Sequence, residues 1–532
     1  MSLFIGSNAG ETITPGFVSP SVKVVGSPNK PSAAVDFILA GGGDDVVEGG
    51  AGNDFAFLGA GNDKFTWKPG DGSDFVDGGK GNDTLVFDGA GINETVDISS
   101  SALGRASFTR DAANITMTLN KVERIEFNAL GGQDKITVKD LGRTDVEEVA
   151  IDLGGVLGAA GGDGQVDQVI AEGTSGADTI EVLASGTAAS VAGLAASLTV
   201  AELEAADQLV IEGLDGKDTI SAATVPTGAM QRTIDGGAGN DTIVGSGGAD
   251  ALIGGAGNDD VRGGRGNDVA SLGDGDDLFT WDPGEGSDVV EGQAGFDAMV
   301  FNGNNVDERV DISANGERAT FFRDPGNVTM DLNEVERVEF AALGGQDKIV
   351  VNDLSGTDVS QVAIDLAGVL GGGAGDGQAD QVTINGTAQD DIVEVTLNGT
   401  ATVVDGLAAQ VSIDHLESAN DLLVIDAGAG DDVLLGGAGD DVLDGGDGED
   451  FLIGNAGDDT FVDGEIIEGF VAGAGTDDRI DLRGVAGAGD FDSIIANSQD
   501  VAGNAVLVLG NGEQVLLLNV SVAGLHADDF IL

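Results

Sequence analysis

The sequence contains no cysteine, so disulfide bonds and thiol chemistry are excluded. It also has no tyrosine and only two histidines, His415 and His526. The motif H-E-x-x-H is absent, which excludes a zinc protease of that type, and G-x-S-x-G is absent, which excludes the usual lipase nucleophile elbow. A chain that works outside the cell without disulfides needs another source of stability, such as bound metal.

Basic residues are scarce: 23 Lys and Arg stand against 93 Asp and Glu, which gives a formal net charge of −70. Such a charge disfavours nucleic acid and anionic membranes as partners and favours divalent cations. No run reaches the ~18 apolar residues that span a bilayer, so we expect no transmembrane segment. Residues 1–16 have neither a basic n-region nor an apolar h-region and do not predict a cleaved secretion signal.

The scarcity of bases also bears on catalysis. Parallel β-helix enzymes that act on acidic polysaccharides need a base near clustered acids. The densest basic clusters consist of Arg105, Arg110, Lys121 and Arg124, and of Arg318, Arg323 and Arg337. Because acidic residues alternate with these bases, we expect surface ion pairs, and the sequence predicts a protein that is not an enzyme.

Glycine is abundant, with 90 residues, and much of it belongs to a nine-residue repeat, G-G-x-G-x-D-x-U-x, in which U is apolar. Residues 236–271 read GGAGNDTIV, GSGGADALI, GGAGNDDVR and GGRGNDVAS, and similar blocks begin at residues 40 and 427. A disordered Gly/Asp-rich linker would not place an apolar residue two positions after each aspartate. The fixed period therefore predicts stacked repeats.

The chemistry of the repeat points to calcium. Each unit joins a glycine turn to a very short strand whose apolar residue faces a core, and two units make one coil of eighteen residues. Aspartates eighteen apart, such as Asp241 and Asp259, then stack on one edge and join turn carbonyls around a cation, and this oxygen shell favours Ca²⁺ over Mg²⁺. Pairs eighteen or twenty apart predict roughly ten ions. The predicted ligands are Asp45, Asp54, Asp63, Asp74, Asp83, Asp241, Asp250, Asp259, Asp268, Asp277, Asp288, Asp297, Asp432, Asp441, Asp450 and Asp459.

This nonapeptide resembles the RTX calcium-binding repeat of secreted proteins from Gram-negative bacteria. The resemblance implies a parallel β-roll, folding that depends on calcium, and export by the type I secretion machinery. Residues 470–482 and the end of the chain, HADDFIL, look like the uncleaved C-terminal secretion region of that family. An ordinary terminal β cap is the alternative for this region.

The chain is a tandem duplication, because V-E-R-I-E-F at 122–127 recurs as V-E-R-V-E-F at 335–340 and L-G-G-Q-D-K at 130–135 recurs at 343–348, both 213 residues later. We expect an N-terminal arm or cap (1–39), a first roll block (40–86), a long β-rich segment (87–235), a second block (236–300), a second long segment (301–426), a third block (427–463) and a C-terminal cap with the secretion region (464–532).

The expected fold is all-β: parallel β-roll blocks continuous with irregular parallel β-helix segments in an elongated solenoid. A separate β-sandwich is the alternative for the long segments. Residues 194–206 are the one modest helix candidate. Pro15, Pro20, Pro28 and Pro31 are expected to prevent regular strand pairing near the N-terminus.

Trp67 and Trp281 occupy equivalent two-residue insertions in the first two blocks. We expect both rings to cap the core at a bulge, and stacking on carbohydrate is the alternative.

Taken together, the sequence predicts an extracellular calcium-binding structural protein that self-assembles at the cell surface as a surface layer, matrix or filament. The alternatives are an adhesin that binds cell-surface polysaccharide and a polysaccharide-modifying β-helix enzyme.

Overall fold

The computed structural model describes residues 1–27, 29–417, 419–473 and 478–532. Pro28 and residues 474–477 of the C-terminal stretch lie outside the described residues. The chain forms two compact units, Met1–Asp274 and Gly275–Leu532, and the boundary falls within the second repeat block.

The described residues of the first unit form 26 strands. They are Ser2–Ile5 (β1), Thr12–Ile13 (β2), Lys23–Gly26 (β3), Phe37–Gly42 (β4), Val46–Val47 (β5), Phe55–Ala60 (β6), Lys64–Trp67 (β7), Phe75–Lys80 (β8), Thr84–Asp88 (β9), Thr95–Ser100 (β10), Ala106–Arg110 (β11), Ile115–Asn120 (β12), Arg124–Asn128 (β13), Lys135–Val138 (β14), Glu148–Asp152 (β15), Gln168–Glu172 (β16), Thr179–Ser185 (β17), Ala188–Ala192 (β18), Ser197–Ala201 (β19), Gln208–Glu212 (β20), Thr219–Ser221 (β21), Gln231–Ala238 (β22), Thr242–Val244 (β23), Asp250–Ala256 (β24), Asp260–Arg262 (β25) and Val269–Asp274 (β26).

The second unit continues with 24 strands in its described residues. They are Leu278–Trp281 (β27), Val289–Ala294 (β28), Ala298–Asn302 (β29), Arg309–Asn315 (β30), Arg318–Asp324 (β31), Val328–Asn333 (β32), Arg337–Ala341 (β33), Lys348–Val351 (β34), Gln361–Asp365 (β35), Gln381–Asn385 (β36), Ile392–Asn398 (β37), Ala401–Asp405 (β38), Gln410–Asp414 (β39), Leu422–Asp426 (β40), Val433–Leu435 (β41), Asp441–Asp444 (β42), Phe451–Ile453 (β43), Thr460–Val462 (β44), Ile466–Glu468 (β45), Arg479–Asp481 (β46), Gln499–Val501 (β47), Asn504–Val508 (β48), Gln514–Leu517 (β49) and Phe530–Ile531 (β50).

Within each unit, successive coils contribute strands alternately to two facing sheets. In the repeat blocks a strand pairs in parallel with the strand one coil later, eighteen residues on: β22 pairs with β24 and β23 with β25. The apolar residue of each nonapeptide points inward, so Ile243, Leu252 and Val261 are buried. The predicted parallel roll is confirmed, and its core is narrow because each short strand contributes one or two inward side chains.

The long segments continue the same two sheets and add antiparallel detours. In the first unit the chain leaves its coil through β10, turns back as β11 and returns as β12, all within one sheet. Parallel strand pairing continues on both sides of the detour, because β12 pairs with β8 and β10 pairs with β14. The same detour occurs in β17–β19 and, in the second unit, in β30–β32 and β37–β39. The β-sandwich alternative is therefore wrong, and the all-β solenoid is confirmed.

The predicted helix at 194–206 is wrong. Its centre is β19, in which Leu198 and Val200 are buried and the residues between them are not, because an alternating pattern fits a strand packed on one face. Among the described residues the single α-helix is Phe491–Asn497 (α1), whose N-cap Asp490 accepts a hydrogen bond from the Ser493 backbone N–H. Short 3₁₀ turns occupy Ala112–Asn114, Val522–Gly524 and Ala527–Asp529. No helix in the described residues is long and apolar enough to cross a membrane.

The N-terminal segment pairs more regularly than its prolines suggest. Strand β1 pairs antiparallel with β3 and parallel with β4 of the first block. The expectation that prolines prevent regular pairing here is wrong, because Pro15 and Pro20 fall in the turns between strands, where no ladder hydrogen bond is lost.

A ladder of buried acids as the candidate metal centre

All sixteen predicted calcium ligands lie immediately before a strand or, for Asp250 and Asp441, at its first residue, and each is at most 5% exposed. An aspartate is hardly ever buried to this extent without a partner of opposite charge. These buried carboxylates are therefore the candidate ligands for a bound cation.

Backbone hydrogen bonds link the buried acids of successive coils. The Asp45 N–H donates to Oδ1 of Asp63 at 2.7 Å, and the Asp63 N–H donates to Oδ1 of Asp83 at 2.8 Å. Of the ten predicted pairs, eight lie within one unit, and each of the eight shows this bond at 2.7–3.1 Å. We call the series of acids joined by such bonds from one coil to the next the acid ladder.

The second oxygen of many ladder carboxylates has no hydrogen-bond partner although it is buried. These oxygens are Oδ2 of Asp45, Asp54, Asp63, Asp74, Asp83, Asp241, Asp297, Asp432, Asp441 and Asp450. A buried and unsatisfied carboxylate oxygen is costly, because nothing replaces the water that it has lost. A cation at these oxygens would remove that cost.

A glycine five residues before the acid lets the carboxylate and a backbone carbonyl oxygen approach the chain closely. A methyl group added to Gly236 would lie 2.6 Å from Oδ2 of Asp241 and 2.7 Å from the carbonyl oxygen of Gly254 in the next coil. At Gly445 the corresponding distances are 2.5 Å to Asp450 Oδ2 and 2.7 Å to the Asp463 carbonyl oxygen. Carboxylate and carbonyl oxygens thus lie together beside the glycine, where any side chain would collide with them, and this donor set fits Ca²⁺.

Side chains alone do not make a metal centre here. In the described part of the chain no three His, Cys, Asp or Glu residues are grouped so that they could hold a metal ion. The acid ladder instead presents carboxylates in pairs next to backbone carbonyl oxygens. The residues that would hold calcium are the predicted aspartates and the glycine turns, and the ion would supply positive charge between successive coils.

Burial perturbs the protonation of these carboxyls. It raises the pKa of Asp54 and Asp45 to about 7, and repulsion by neighbouring carboxylates adds to the effect. For Asp74 burial, followed by the charges of Asp54 and Asp71, raises the pKa to about 8. Without a cation, these groups therefore hold protons near neutral pH.

The raised pKa values predict opposite effects of pH on the calcium-free and calcium-loaded chains. In the calcium-free fold the carboxyls titrate at about 7 instead of 3.8, so folding takes up protons and stability falls as pH rises from about 4 to about 7. Protein freed of calcium on a chelating resin should show more β-structure by circular dichroism at pH 5.5 than at pH 7.5. The affinity for calcium should instead be higher at pH 7.5 than at pH 5.5, because protons compete with calcium for the same carboxylate oxygens. Equal β-content of the calcium-free chain at both pH values would contradict this prediction.

Asp250 differs from the other predicted ligands. Arg232, in the preceding coil, donates from Nε to Asp250 Oδ1 at 2.5 Å, and the Ser246 N–H donates to Oδ2 at 2.6 Å. Both side chains of this ion pair are buried. Ser246 is a departure from the repeat that the sequence displays, and here a guanidinium provides the positive charge that a bound cation would provide at the other ligands.

The acid ladder also includes residues that the nonapeptide pattern misses. Their spacing of 33–41 residues hides them from an eighteen-residue period, because loops and antiparallel detours lengthen their coils. The members found at these longer spacings are Glu94, Glu123, Asp134, Asp167, Asp178, Asp207, Asp218, Glu308, Glu336, Asp347, Asp380, Asp391 and Asp421.

Two of the arginines expected at the surface are buried. Arg110 is 5% exposed and pairs with Glu94, and Arg323 is 4% exposed and pairs with Glu308. The prediction of ion pairs is confirmed, but a surface location is wrong for these two, because each guanidinium also lies over a tryptophan ring. Arg124 does remain partly exposed in its ion pairs.

Both tryptophans are completely buried, so the carbohydrate-stacking alternative is wrong for them and the core role is confirmed. Trp67 stacks on Phe87 with ring centroids 4.0 Å apart, and its Nε1–H donates to the Gly72 carbonyl at 2.8 Å. Trp281 makes the equivalent stack and hydrogen bond with Phe301 and Gly286.

Removing one of these rings should destabilise its unit strongly. Trp67→Ala leaves a cavity beside Phe87 and should lower the free energy of unfolding by about 3–5 kcal/mol. Chemical denaturation at saturating calcium measures the effect, and Trp67→Phe, which keeps an aromatic ring, should lose much less. An unchanged denaturation midpoint for Trp67→Ala would contradict the assignment of this ring to the core.

Comparison with known proteins agrees with the repeat geometry. The family described as "RTX calcium-binding nonapeptide repeat (4 copies)" matches residues 32–65, 70–89, 233–261, 253–280 and 426–461. No curated protein matches the chain. Among solved structures, the extracellular lipase LipA from Serratia marcescens matches at 17% identity with a TM-score of 0.12, over 61% of this chain and 45% of the lipase. The chain thus spans less than half of that lipase, and so low a TM-score supports no conclusion. The matched nonapeptides coincide with the acid ladder in all three blocks, so these blocks are RTX calcium-binding nonapeptide repeats.

Proposed function

We propose that the protein is an extracellular structural protein that folds on calcium after type I secretion and associates with copies of itself at the cell surface. The observation that carries this proposal is the acid ladder, which occurs in the long segments as well as in the repeat blocks of both units. A scaffold benefits from such repetition, because each coil is stabilised by its neighbours in the same way. Roughly ten bound Ca²⁺ would also cancel about twenty negative charges and permit close contact between chains.

Secretion and the absence of catalysis are parts of the same proposal. The resemblance to secreted RTX proteins supports export, and a chain that needs calcium to fold would stay unfolded in the calcium-poor cytosol. Residues 464–532 would be read as the secretion region before they fold into the C-terminal strands and α1. A non-catalytic role is supported by the scarcity of bases and by Arg110 and Arg323, which are engaged in buried ion pairs.

A surface suited to self-contact lies on the first block. Phe37 and Phe55 stack with ring centroids 5.0 Å apart, and Phe57 packs against Phe75 at 5.7 Å. Phe55 and Phe57 are each 39% exposed. We call these four residues the phenylalanine face. Exposed, contiguous aromatic rings of this kind are typical of protein–protein contacts.

The proposal predicts assembly that depends on calcium and on the phenylalanine face. The full chain in millimolar calcium should form oligomers or sheets in light scattering and electron microscopy, and EGTA should disperse them. Phe55→Ser with Phe57→Ser should abolish assembly and leave calcium-induced folding intact. Val369→Ser with Leu370→Ser removes a more exposed apolar pair elsewhere and is the control. A monomer at millimolar calcium would leave the protein a solitary calcium binder.

A further inference from the structure

Glu94 and Glu308 are equivalent residues of the two long segments, and both lie outside the residues that the repeat family matches. Each belongs to the acid ladder: the Glu94 N–H donates to Asp134 Oδ1 at 2.8 Å, and the Glu308 N–H donates to Asp347 Oδ1 at 2.7 Å. All four residues are at most 3% exposed. The ladder therefore brings two buried carboxylates together in each long segment.

The two oxygens of Glu94 have different surroundings. Oε1 accepts from Arg110 Nε at 2.8 Å and from the Ala90 N–H at 3.0 Å. Oε2 is buried and has no hydrogen-bond partner. Arg110 therefore fixes the orientation of the carboxylate and leaves Oε2 unsatisfied, which is unfavourable unless another positive group binds there.

Backbone oxygens converge where Oε2 points. A methyl group added to Gly89 would lie 2.7 Å from Glu94 Oε2, 2.8 Å from the Ala129 carbonyl oxygen and 2.9 Å from the Asn128 carbonyl oxygen. This is the arrangement found in the repeat blocks, where Gly236 faces Asp241 Oδ2 and the Gly254 carbonyl oxygen. The carboxylate oxygen and the two carbonyl oxygens thus lie close together beside Gly89, and an all-oxygen donor set of this kind suits a hard cation.

The second long segment repeats the geometry independently. A methyl group added to Gly303 would meet Glu308 Oε2, the Ala341 carbonyl oxygen at 2.6 Å and the Ala342 carbonyl oxygen at 2.9 Å. Glu308 Oε2 is also buried without a hydrogen-bond partner, and Arg323 Nε donates to Oε1 at 2.7 Å. The same unsatisfied oxygen beside two carbonyl groups thus occurs in both copies.

The local charge favours a cation even with the arginine present. Asp134 accepts from the Glu94 N–H, and its own N–H donates to Asp167 Oδ1 at 2.8 Å, so three buried carboxylates follow one another here. One guanidinium does not balance these carboxylates. Coulomb attraction at short range in a water-poor site is strong, so a divalent ion would gain from this field.

We propose that Glu94 and Glu308 each bind a divalent cation through Oε2, together with the two carbonyl oxygens that face it, in sites whose oxygen donors suit Ca²⁺. Asp134 and Asp347 complete the acid pair, and Arg110 and Arg323 are positioning residues that orient the glutamates. These two sites rest on the proposed calcium-dependent folding and extend it from the repeat blocks into the long segments.

Counting bound calcium on the full chain tests the proposal. Equilibrium dialysis followed by elemental analysis should find two fewer Ca²⁺ per chain in Glu94→Gln with Glu308→Gln than in the unaltered chain. Glu126→Gln with Glu339→Gln makes the same charge change at partly exposed glutamates outside the acid ladder and should lose none.

A second variant is needed, because glutamine at 94 and 308 disturbs the ion pairs of the buried arginines, and a misfolded chain would also lose calcium. Asp134→Asn with Asp347→Asn retains Oδ1 as acceptor and the Arg–Glu pairs, and should lose at least two ions. An unchanged count in the folded Asn variant overturns the proposal, as does an equal loss in the control. Binding of no calcium by the unaltered chain would instead refute the proposed function itself.

Discussion

Removal of calcium with EGTA is expected to abolish most of the β-structure of the chain and to expand it. Each predicted site exists only when successive coils are stacked, so the free energy of calcium binding is also free energy of folding. Without the ions, unsatisfied oxygens such as Asp83 Oδ2 and Asp450 Oδ2 remain buried beside other carboxylates. The net charge of −70 then drives the chain apart.

Far-UV circular dichroism and small-angle scattering measure this transition. The radius of gyration in EGTA should approach the roughly 85 Å of an unfolded chain of this length. Readdition of calcium should restore the folded spectrum. Sodium chloride at the same ionic strength should not, because it screens the charges but places no divalent cation between the carboxylates. A spectrum that EGTA leaves unchanged would refute calcium-dependent folding.

Asp63→Asn is expected to have the second-largest effect. Asp63 lies in the middle of the ladder of the first block, linked to Asp45 on one side and to Asp83 on the other. Asparagine retains Oδ1 as the acceptor for the Asp45 N–H and replaces the unpartnered Oδ2 with an amide. The calcium concentration that half-folds the first block should rise by at least about tenfold, since even indirect metal partners are worth ~10–100-fold in affinity.

The matched control for Asp63→Asn is Asp44→Asn. Asp44 is exposed, and its Oδ1 accepts from the Asn62 N–H at 2.8 Å, a bond that asparagine can also accept. The control removes the same charge one position before the ladder and should leave the calcium midpoint nearly unchanged. Equal shifts in both variants would mean that overall charge, and not a ligand site, controls folding.

The repeat blocks were predictable because their determinants are local. A glycine turn, an aspartate and an apolar residue recur every nine residues, and this period decides both the coil length and the edge on which the acids stack. The predicted pairs Asp241–Asp259 and Asp432–Asp450 are linked by hydrogen bonds in the structure. The calcium-binding type of the repeat followed from the same pattern and agrees with the family match.

The acids of the ladder that lie outside the repeat blocks could not be predicted from a fixed sequence period. Asp134 and Asp167 are 33 residues apart and Asp167 and Asp207 are 40 apart, yet each pair makes the same contact. Loops and antiparallel detours of variable length precede each acid, so sequence spacing no longer reports the position along the solenoid. One signal was available: the stretch 173–180, GTSGADTI, is a lone nonapeptide-like unit around Asp178.

The sequence by itself determined the composition of the sites: oxygen ligands, an excess of negative charge, no disulfides and glycine turns repeated at fixed intervals. Only the tertiary structure decided which acids meet outside the blocks and which cationic group each one receives. Arg110 and Arg124 are both arginines in an acidic neighbourhood, yet Arg110 is buried over Trp67 because β11 turns back across the sheet, and Arg124 stays partly exposed. Burial depends on how distant strands pack, and local sequence does not specify it.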